Sequence, residues 1–225
     1  MDLDVSSAAL RDVVTEAWSR RGNFNLQGVG YGTAHWGDGA VISRPFPYYF
    51  FLAGMVSLTG SRHIVEVGTH QGGSARALAA GLVNPSESRI VTFDVTPHGA
   101  KMLEGHQVIR AYQVDANSEA AYDICVNQFG RAAIDLAYID SAHTFWQTLA
   151  SFLLYGVAMR ANFVILDDIT LNPGMQKLWN LIVADFGSEA IDASAVVNDI
   201  RAATPGENRP GFGLVRLNGR GLRGS

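Results

Sequence analysis

The sequence has a single cysteine among its 225 residues, Cys125, so no internal disulfide can form and a reducing compartment is the natural setting. Cys125 falls in the apolar stripe of a predicted helix and reads as core rather than as a reactive thiol. Basic runs are missing as well. With 17 Lys and Arg against 21 Asp and Glu, the net charge is −4, which argues against a nucleic-acid partner because nothing concentrates positive charge against phosphates. No apolar run reaches the length of a membrane span, and the longest, around residues 48–58, has the length of a buried helix. Residues 1–4 are acidic and show neither the basic nor the apolar region of a signal peptide. A cytoplasmic protein with no membrane partner is expected. Charged residues are sparse at 17% and hydrophobic ones make up 48%, enough to build a sizeable core and too much for wholesale disorder.

What is present is a regular alternation. Short apolar segments at 63–67, 89–93, 108–114, 134–139 and 162–166 read as buried strands. Helical stretches separate them at 74–82, 99–104, 118–129 and 145–159, and a further stripe of Met175, Leu178, Trp179, Ile182, Val183 and Phe186 follows the fifth strand. Strand alternating with helix implies right-handed crossovers and a parallel sheet covered on both faces. Segments 189–197 and 211–217 read as two last strands joined only by a loop with Pro205, Gly206, Pro210 and Gly211, which pair most simply as an antiparallel hairpin. The expected fold is therefore α/β, a doubly wound, seven-stranded, mostly parallel sheet ending in an antiparallel hairpin. This core domain is assigned to residues 61–225. Residues 1–60 form an N-terminal extension. It holds a helix through Leu10, Val13, Val14, Ala17 and Trp18 with Ser6 and Ser7 available as caps, a glycine-rich loop over 22–44 that suits a lid, and a helix after Pro47 whose aromatics are read as core.

The first strand of the alternation runs into Glu66-Val67-Gly68-Thr69-His70-Gln71-Gly72-Gly73-Ser74 and a helix. Glycines let the backbone turn and pass close to a ligand, and the N–H groups at the helix start favour a negative group. The second strand ends at Asp94, an acid placed to accept both hydroxyls of a ribose. The three residues between Gly68 and Gly72 do not match the G-x-G-x-x-G dinucleotide fingerprint. The stretch resembles instead the E/D-x-G-x-x-x-G loop of class I S-adenosylmethionine-dependent methyltransferases. That resemblance implies S-adenosylmethionine as cofactor, held by Glu66, Gly68, Thr69, Gly72, Gly73, Ser74 and Asp94, with Asp115 and Ala116 beside the adenine and Asp140 at the reactive end.

The fourth strand ends in Asp140-Ser141-Ala142-His143 and the fifth in Asp167-Asp168. Carboxylates at strand C-termini face the crevice where ligands bind in such sheets. Neighbouring strand ends lie about 5 Å apart, so three carboxylates would converge, and like charges that close call for protonation or a cation. An all-oxygen set suits a hard ion such as Mg²⁺. His143, three residues after Asp140, is placed to act as a general base. The combination I-D-x-x-H and L-D-D resembles metal-dependent O-methyltransferases acting on natural-product sugars and the related cephalosporin-hydroxylase-like proteins. It implies Asp140, Asp167 and Asp168 as metal ligands, His143 as catalytic base, and a small hydroxyl-bearing molecule as substrate. Alternatives remain open: Asp140 or Asp168 as helix caps, His35 or His70 as the base, a nicotinamide-dependent oxidoreductase, or a non-catalytic interaction module. Self-association is compatible with the sequence.

Overall fold

The computed structural model describes residues 3–29, 31–32, 41–42, 45–130, 133–201 and 211–218. Residues 30, 33–40 and 43–44 of the glycine-rich loop, His35 with them, and Pro205, Gly206 and Pro210 lie outside the described residues. Two helices come first, α1 (Leu10–Ser19) and, after a two-residue antiparallel ribbon of β1 (Tyr31–Gly32) and β2 (Val41–Ile42), α2 (Pro47–Thr59). The five central apolar segments form β3 (His63–Val67), β4 (Arg89–Asp94), β5 (Ile109–Gln113), β6 (Leu136–Ile139) and β7 (Phe163–Leu166). They pair in parallel in the order β5-β4-β3-β6-β7. Alternate side chains enter two cores. Ile64, Ile90, Leu136 and Ile165 meet α1, α2 and α3 (Gly73–Ala80) on one face. Val65, Val91, Ala137 and Val164 meet α5 (Glu119–Phe129) and α7 (Pro173–Phe186) on the other. Burial on both faces is why β6 and β7 are apolar throughout and β3 and β4 largely so, whereas the outer β5 carries Arg110 and Gln113 and is mostly half-buried. The short α4 (His98–Met102) follows β4, and α6 (Phe145–Ser151) follows β6. No helix among the described residues is long and apolar enough to cross a membrane.

Several local expectations are corrected. Ser6 and Ser7 do not cap α1; both hydroxyls donate to Asp4, each at 2.7 Å, and the N-cap position falls on Ala9 with no side-chain bond. The stretch 145–159 is two kinds of helix, since α6 passes into a π-helix at Phe152–Ala158. There Gly156 brings the backbone close to Val164 and Leu217, a Cβ on it lying 3.1 Å from each side chain. The apolar stripe that holds Cys125 runs along α5 through Ala121, Cys125 and Phe129, while Tyr122 is 43% exposed. The segment 189–197 is strand only as β8 (Ala190–Asp192). Asp192 then caps α8 (Ala193–Val196) by accepting from the Ser194 N–H at 2.9 Å. The antiparallel hairpin forms, but with its second strand inside: β9 (Gly213–Arg216) lies antiparallel to both β7 and β8.

The first 60 residues share the sheet's core. Gly54 allows α1 to lie against α2, because a Cβ there would sit 2.0 Å from the Ala17 carbonyl oxygen. Arg216 on β9 is 6% exposed and donates to Glu189 at 2.6 Å and to the carbonyls of Val5 and Ala8 at 2.9 and 2.7 Å. One buried guanidinium thus ties the chain's start to its last strand. Arg216→Met keeps the apolar stem but drops these bonds, and should lower the unfolding free energy by on the order of 3 kcal/mol in a denaturant titration. A loss well below about 1 kcal/mol would show that the tie is dispensable.

Candidate active site

The crevice lies at the C-terminal ends of β3, β4, β5 and β6. It is a cleft of about 420 Å³ lined by Gly68, His70, Phe93, Asp94, Asp115, Ala116, Asn117, Asp140 and His143, among others. Sheet order explains the convergence: β3 pairs with β4 on one side and β6 on the other, so the loop after β3 emerges between Asp94 and Asp140. That loop is clamped by its neighbours. The N–H groups of Gly68 and Thr69 donate to the Phe93 carbonyl at 2.9 and 3.2 Å, and the His70 N–H donates to Asp94 Oδ2 at 2.7 Å. Asp94 Oδ1 accepts from the backbone and hydroxyl of Thr96, both at 2.8 Å. Gly68 has φ +100° and Gly72 φ +78°, conformations open to glycine at little cost.

Glu66 and Thr69 point inward. Glu66 is fully buried and accepts from the Thr92 hydroxyl, whose oxygen lies 2.7 Å from that of Thr69. Burial pushes the Glu66 carboxyl up to about 8, with the charges of Asp140 and Asp94 adding to the shift and hydroxyls of Ser74 and Thr92 opposing it. Ser74, Gly72 and Gly73 are likewise buried at the start of α3.

The second cluster gathers Asp140, His143, Asp167 and Asp168. His143 Nε2 lies 3.5 Å from Asp140 Oδ1 and 3.7 Å from Asp168 Oδ2. The Tyr138 hydroxyl donates to Asp140 Oδ2 at 3.0 Å and Asp167 Oδ2 at 3.2 Å, and Asp167 Oδ1 accepts from the Asp168 N–H at 2.8 Å. Burial, then the Asp140 charge, pushes the Asp168 carboxyl up to about 7. The carboxylates are thus divided among Tyr138, His143 and the backbone. Among the described residues, no group of three or more His, Cys, Asp and Glu closes to an arrangement that holds a metal ion. Helix capping is not the acids' task. Thr144 caps α6 and Asn172 caps α7, each accepting from the N–H three residues on. Asn172 also donates to the His143 carbonyl at 2.9 Å.

Three residues around the crevice hold left-handed backbone without being glycine: His70 (φ +44°), His143 (φ +46°) and Asp168 (φ +56°). Such conformations cost energy and gather at functional sites. Tyr138 was not singled out from the sequence, although a signal exists: it sits two residues before Asp140, so both project to one face of the strand.

A doubly wound sheet with its last strand inserted antiparallel, and a glycine loop leading from its central strand into a helix, is the arrangement of the Rossmann-like methyltransferase fold. Residues 65–169, from β3 to just past β7, match the family model described as a methyltransferase domain. No protein of curated function matches the sequence. Solved structures do. The chain is 16% identical to the O-methyltransferase from Bacillus cereus in complex with SAH (TM-score 0.51), over 91% of this chain and 90% of that one. It is 20% identical to a putative O-methyltransferase from Klebsiella pneumoniae (TM-score 0.51), over 96% and 92%. It is 18% identical to the O-methyltransferase TomG from Streptomyces achromogenes, involved in tomaymycin synthesis and solved with SAM (TM-score 0.54), over 89% of each chain. At these identities the likeness is one of fold.

The raised carboxyls make a pH prediction with a defined sign. Between the ordinary Glu value of 4.5 and about 8, native Glu66 holds a proton that the unfolded chain has released. Stability therefore falls as pH rises through that window, and Asp168 adds the same sign up to about 7. The slope remaining between pH 7 and 8 belongs to Glu66, at most about 1.4 kcal/mol per pH unit. Denaturant titrations of metal-free, cofactor-free protein should show this slope in the wild type and a flattened one in Glu66→Gln. Equal slopes would mean that Glu66 does not carry the proton.

Proposed function

We propose that the chain transfers the sulfonium methyl group of S-adenosylmethionine to a hydroxyl oxygen of a small molecule, with His143 as general base and a divalent cation as helper. The observation that carries this reading is the sharing of one cleft: Gly68, Asp94 and Asp115 line it together with Asp140 and His143. A cofactor seated on the loop after β3 with its ribose at Asp94 would direct its other end toward the β6 terminus. In the transfer, the carbon–sulfur bond breaks as the oxygen–carbon bond forms, and the sulfonium becomes a neutral thioether. The hydroxyl proton passes to His143 Nε2. The two carboxylates within 3.7 Å of that nitrogen stabilise the imidazolium so formed. Asn172 and the left-handed turn at residue 143 hold the ring's backbone in place.

The Asp168 carboxyl is raised first by burial and then by the Asp140 charge; that second contribution supports the cation, because a like-charge pair of hard oxygen donors is relieved by one. Asp140, Asp167 and Asp168 would have to draw together from the arrangement described above to hold it, with Mg²⁺ the best match to the donor chemistry. When bound, the ion supplies positive charge that lowers the pKa of a nearby hydroxyl. A sugar or other natural product with adjacent hydroxyls is the proposed substrate class, and the cytoplasm, where a lone cysteine stays reduced, the proposed location.

Calorimetry should show S-adenosylhomocysteine binding to the wild type. Asp94→Ala should weaken it more than tenfold, since hydrogen bonds to a charged acceptor are worth about 1.5–3 kcal/mol each. Absence of binding to the wild type would end this reading. On the chemical step, His143→Ala should lower kcat by about 10²- to 10⁴-fold and abolish the fall in rate at acid pH, with cofactor affinity little changed. Asp167→Asn should leave cofactor affinity intact and abolish the response to added Mg²⁺. Full turnover of chelator-treated wild type would remove the cation from the scheme, and a His143→Ala variant that keeps both rate and acid limb would move the base elsewhere.

A further inference from the structure

The wall of the cleft formed by residues 115–117 is braced in an unusual way. β5 is the outer strand of the sheet, so no further strand of that sheet supports the loop that follows it. One backbone carbonyl and two side chains from a single helical column do so instead. Asn117 Nδ2 donates to the Gln147 carbonyl at 3.3 Å, and Asn117 Oδ1 accepts from the Ser151 hydroxyl at 2.8 Å. The Tyr155 hydroxyl donates to the Ala116 carbonyl. Gln147, Ser151 and Tyr155 are spaced four residues apart. Along an α-helix, each step of four overshoots a full turn by about 40°, so the third member would be rotated about 80° from the first. The π-helix at Phe152–Ala158 closes a wider turn, with the Met159 N–H donating to the Leu154 carbonyl at 2.9 Å. This underwinding takes back rotation and returns Tyr155 to the column. Tyr155 is fully buried and stacks at 6.3 Å and 20° on Phe93, which lines the same cleft.

We propose that Tyr155 is a positioning residue for recognition of the cofactor's base: the π-helical turn delivers its hydroxyl to Ala116 and so fixes the 115–117 wall that the purine meets. The proposal rests on the S-adenosylmethionine reading above. It also gives the π-helix a task, in keeping with the frequency of such turns near functional sites. Ser151 acts in the same column through Asn117.

The test compares S-adenosylhomocysteine with S-inosylhomocysteine, which differ in the amino or oxo group at purine position 6 and in the proton that the oxo form carries on N1. Both are titrated calorimetrically into the wild type, Tyr155→Phe and Ser151→Ala. The wild type should prefer the adenosyl compound. Tyr155→Phe should bind it about tenfold more weakly, as expected for a carbonyl left without its donor, and the ratio of the two affinities should narrow severalfold. Ser151→Ala should narrow the ratio in the same direction, and it carries the test if Tyr155→Phe does not fold. Equal weakening of both ligands with the ratio unchanged would make the column a support of the fold in general and overturn the proposal. So would unchanged affinities. A wild type that binds neither compound is a separate outcome, overturning the cofactor reading itself.

Discussion

Gly68 crosses the end of β6 so closely that a Cβ on it would lie 1.7 Å from the Asp140 carbonyl oxygen. No other residue fits there, on grounds of both space and its φ of +100°. The rest of the crevice hangs on this crossing. It sets the loop after β3 against the strand end that carries Asp140 and His143. On the other side the same loop is held by the Phe93 carbonyl and the Asp94 carboxylate. Glycine loop and acid cluster are therefore not two features brought near each other by chance packing. They share one stretch of backbone, and a change that displaces one displaces the other.

The electrostatics follow from that geometry. Glu66, Asp94, Asp140, Asp167 and Asp168 all stand at or near the carboxyl end of the sheet, four of them on adjacent strands β3, β6 and β7 or just past their ends. The fold copes with this concentration in different ways. Glu66 is buried deeply enough to stay protonated near neutral pH. Asp94 spends its charge on backbone and hydroxyl donors. Asp140 and Asp167 share the Tyr138 hydroxyl, and Asp140 and Asp168 flank His143. Because Thr144 and Asn172 take over the helix caps, the acids remain turned to the crevice. Left-handed backbone at His143 and Asp168 is the cost of that orientation.

The periodic signals in the sequence were sound where burial on both faces left little choice. The five parallel strands appear at the expected places because runs such as Ile64–Val67 and Val164–Leu166 suit only a doubly covered sheet. The glycine loop and the acids at strand ends were legible for the same reason: their positions relative to those strands follow from chain order. Local polar chemistry was harder to read. Ser6 and Ser7 were available as caps, yet Asp4 offered their hydroxyls a nearer acceptor. Segment 193–197 is apolar enough for a strand, yet Asp192 turns it into a helix.

Composition and pattern by themselves determined the fold class, the strand-loop-helix turn at Gly68–Ser74 and the placing of Asp94, Asp140, Asp167 and Asp168 at strand ends, because those features depend on hydrophobic period and on residues adjacent in the chain. Only the tertiary structure decided which partners these residues have. That Tyr138 bridges two acids, that Arg216 ties β9 to residues 5 and 8, that β9 lies between β7 and β8, and that a π-helix returns Tyr155 to the wall at Ala116 all depend on contacts between segments far apart in sequence. Hydrogen bonds of that kind are selected by where packed elements come to rest, and no local preference of the residues involved encodes them.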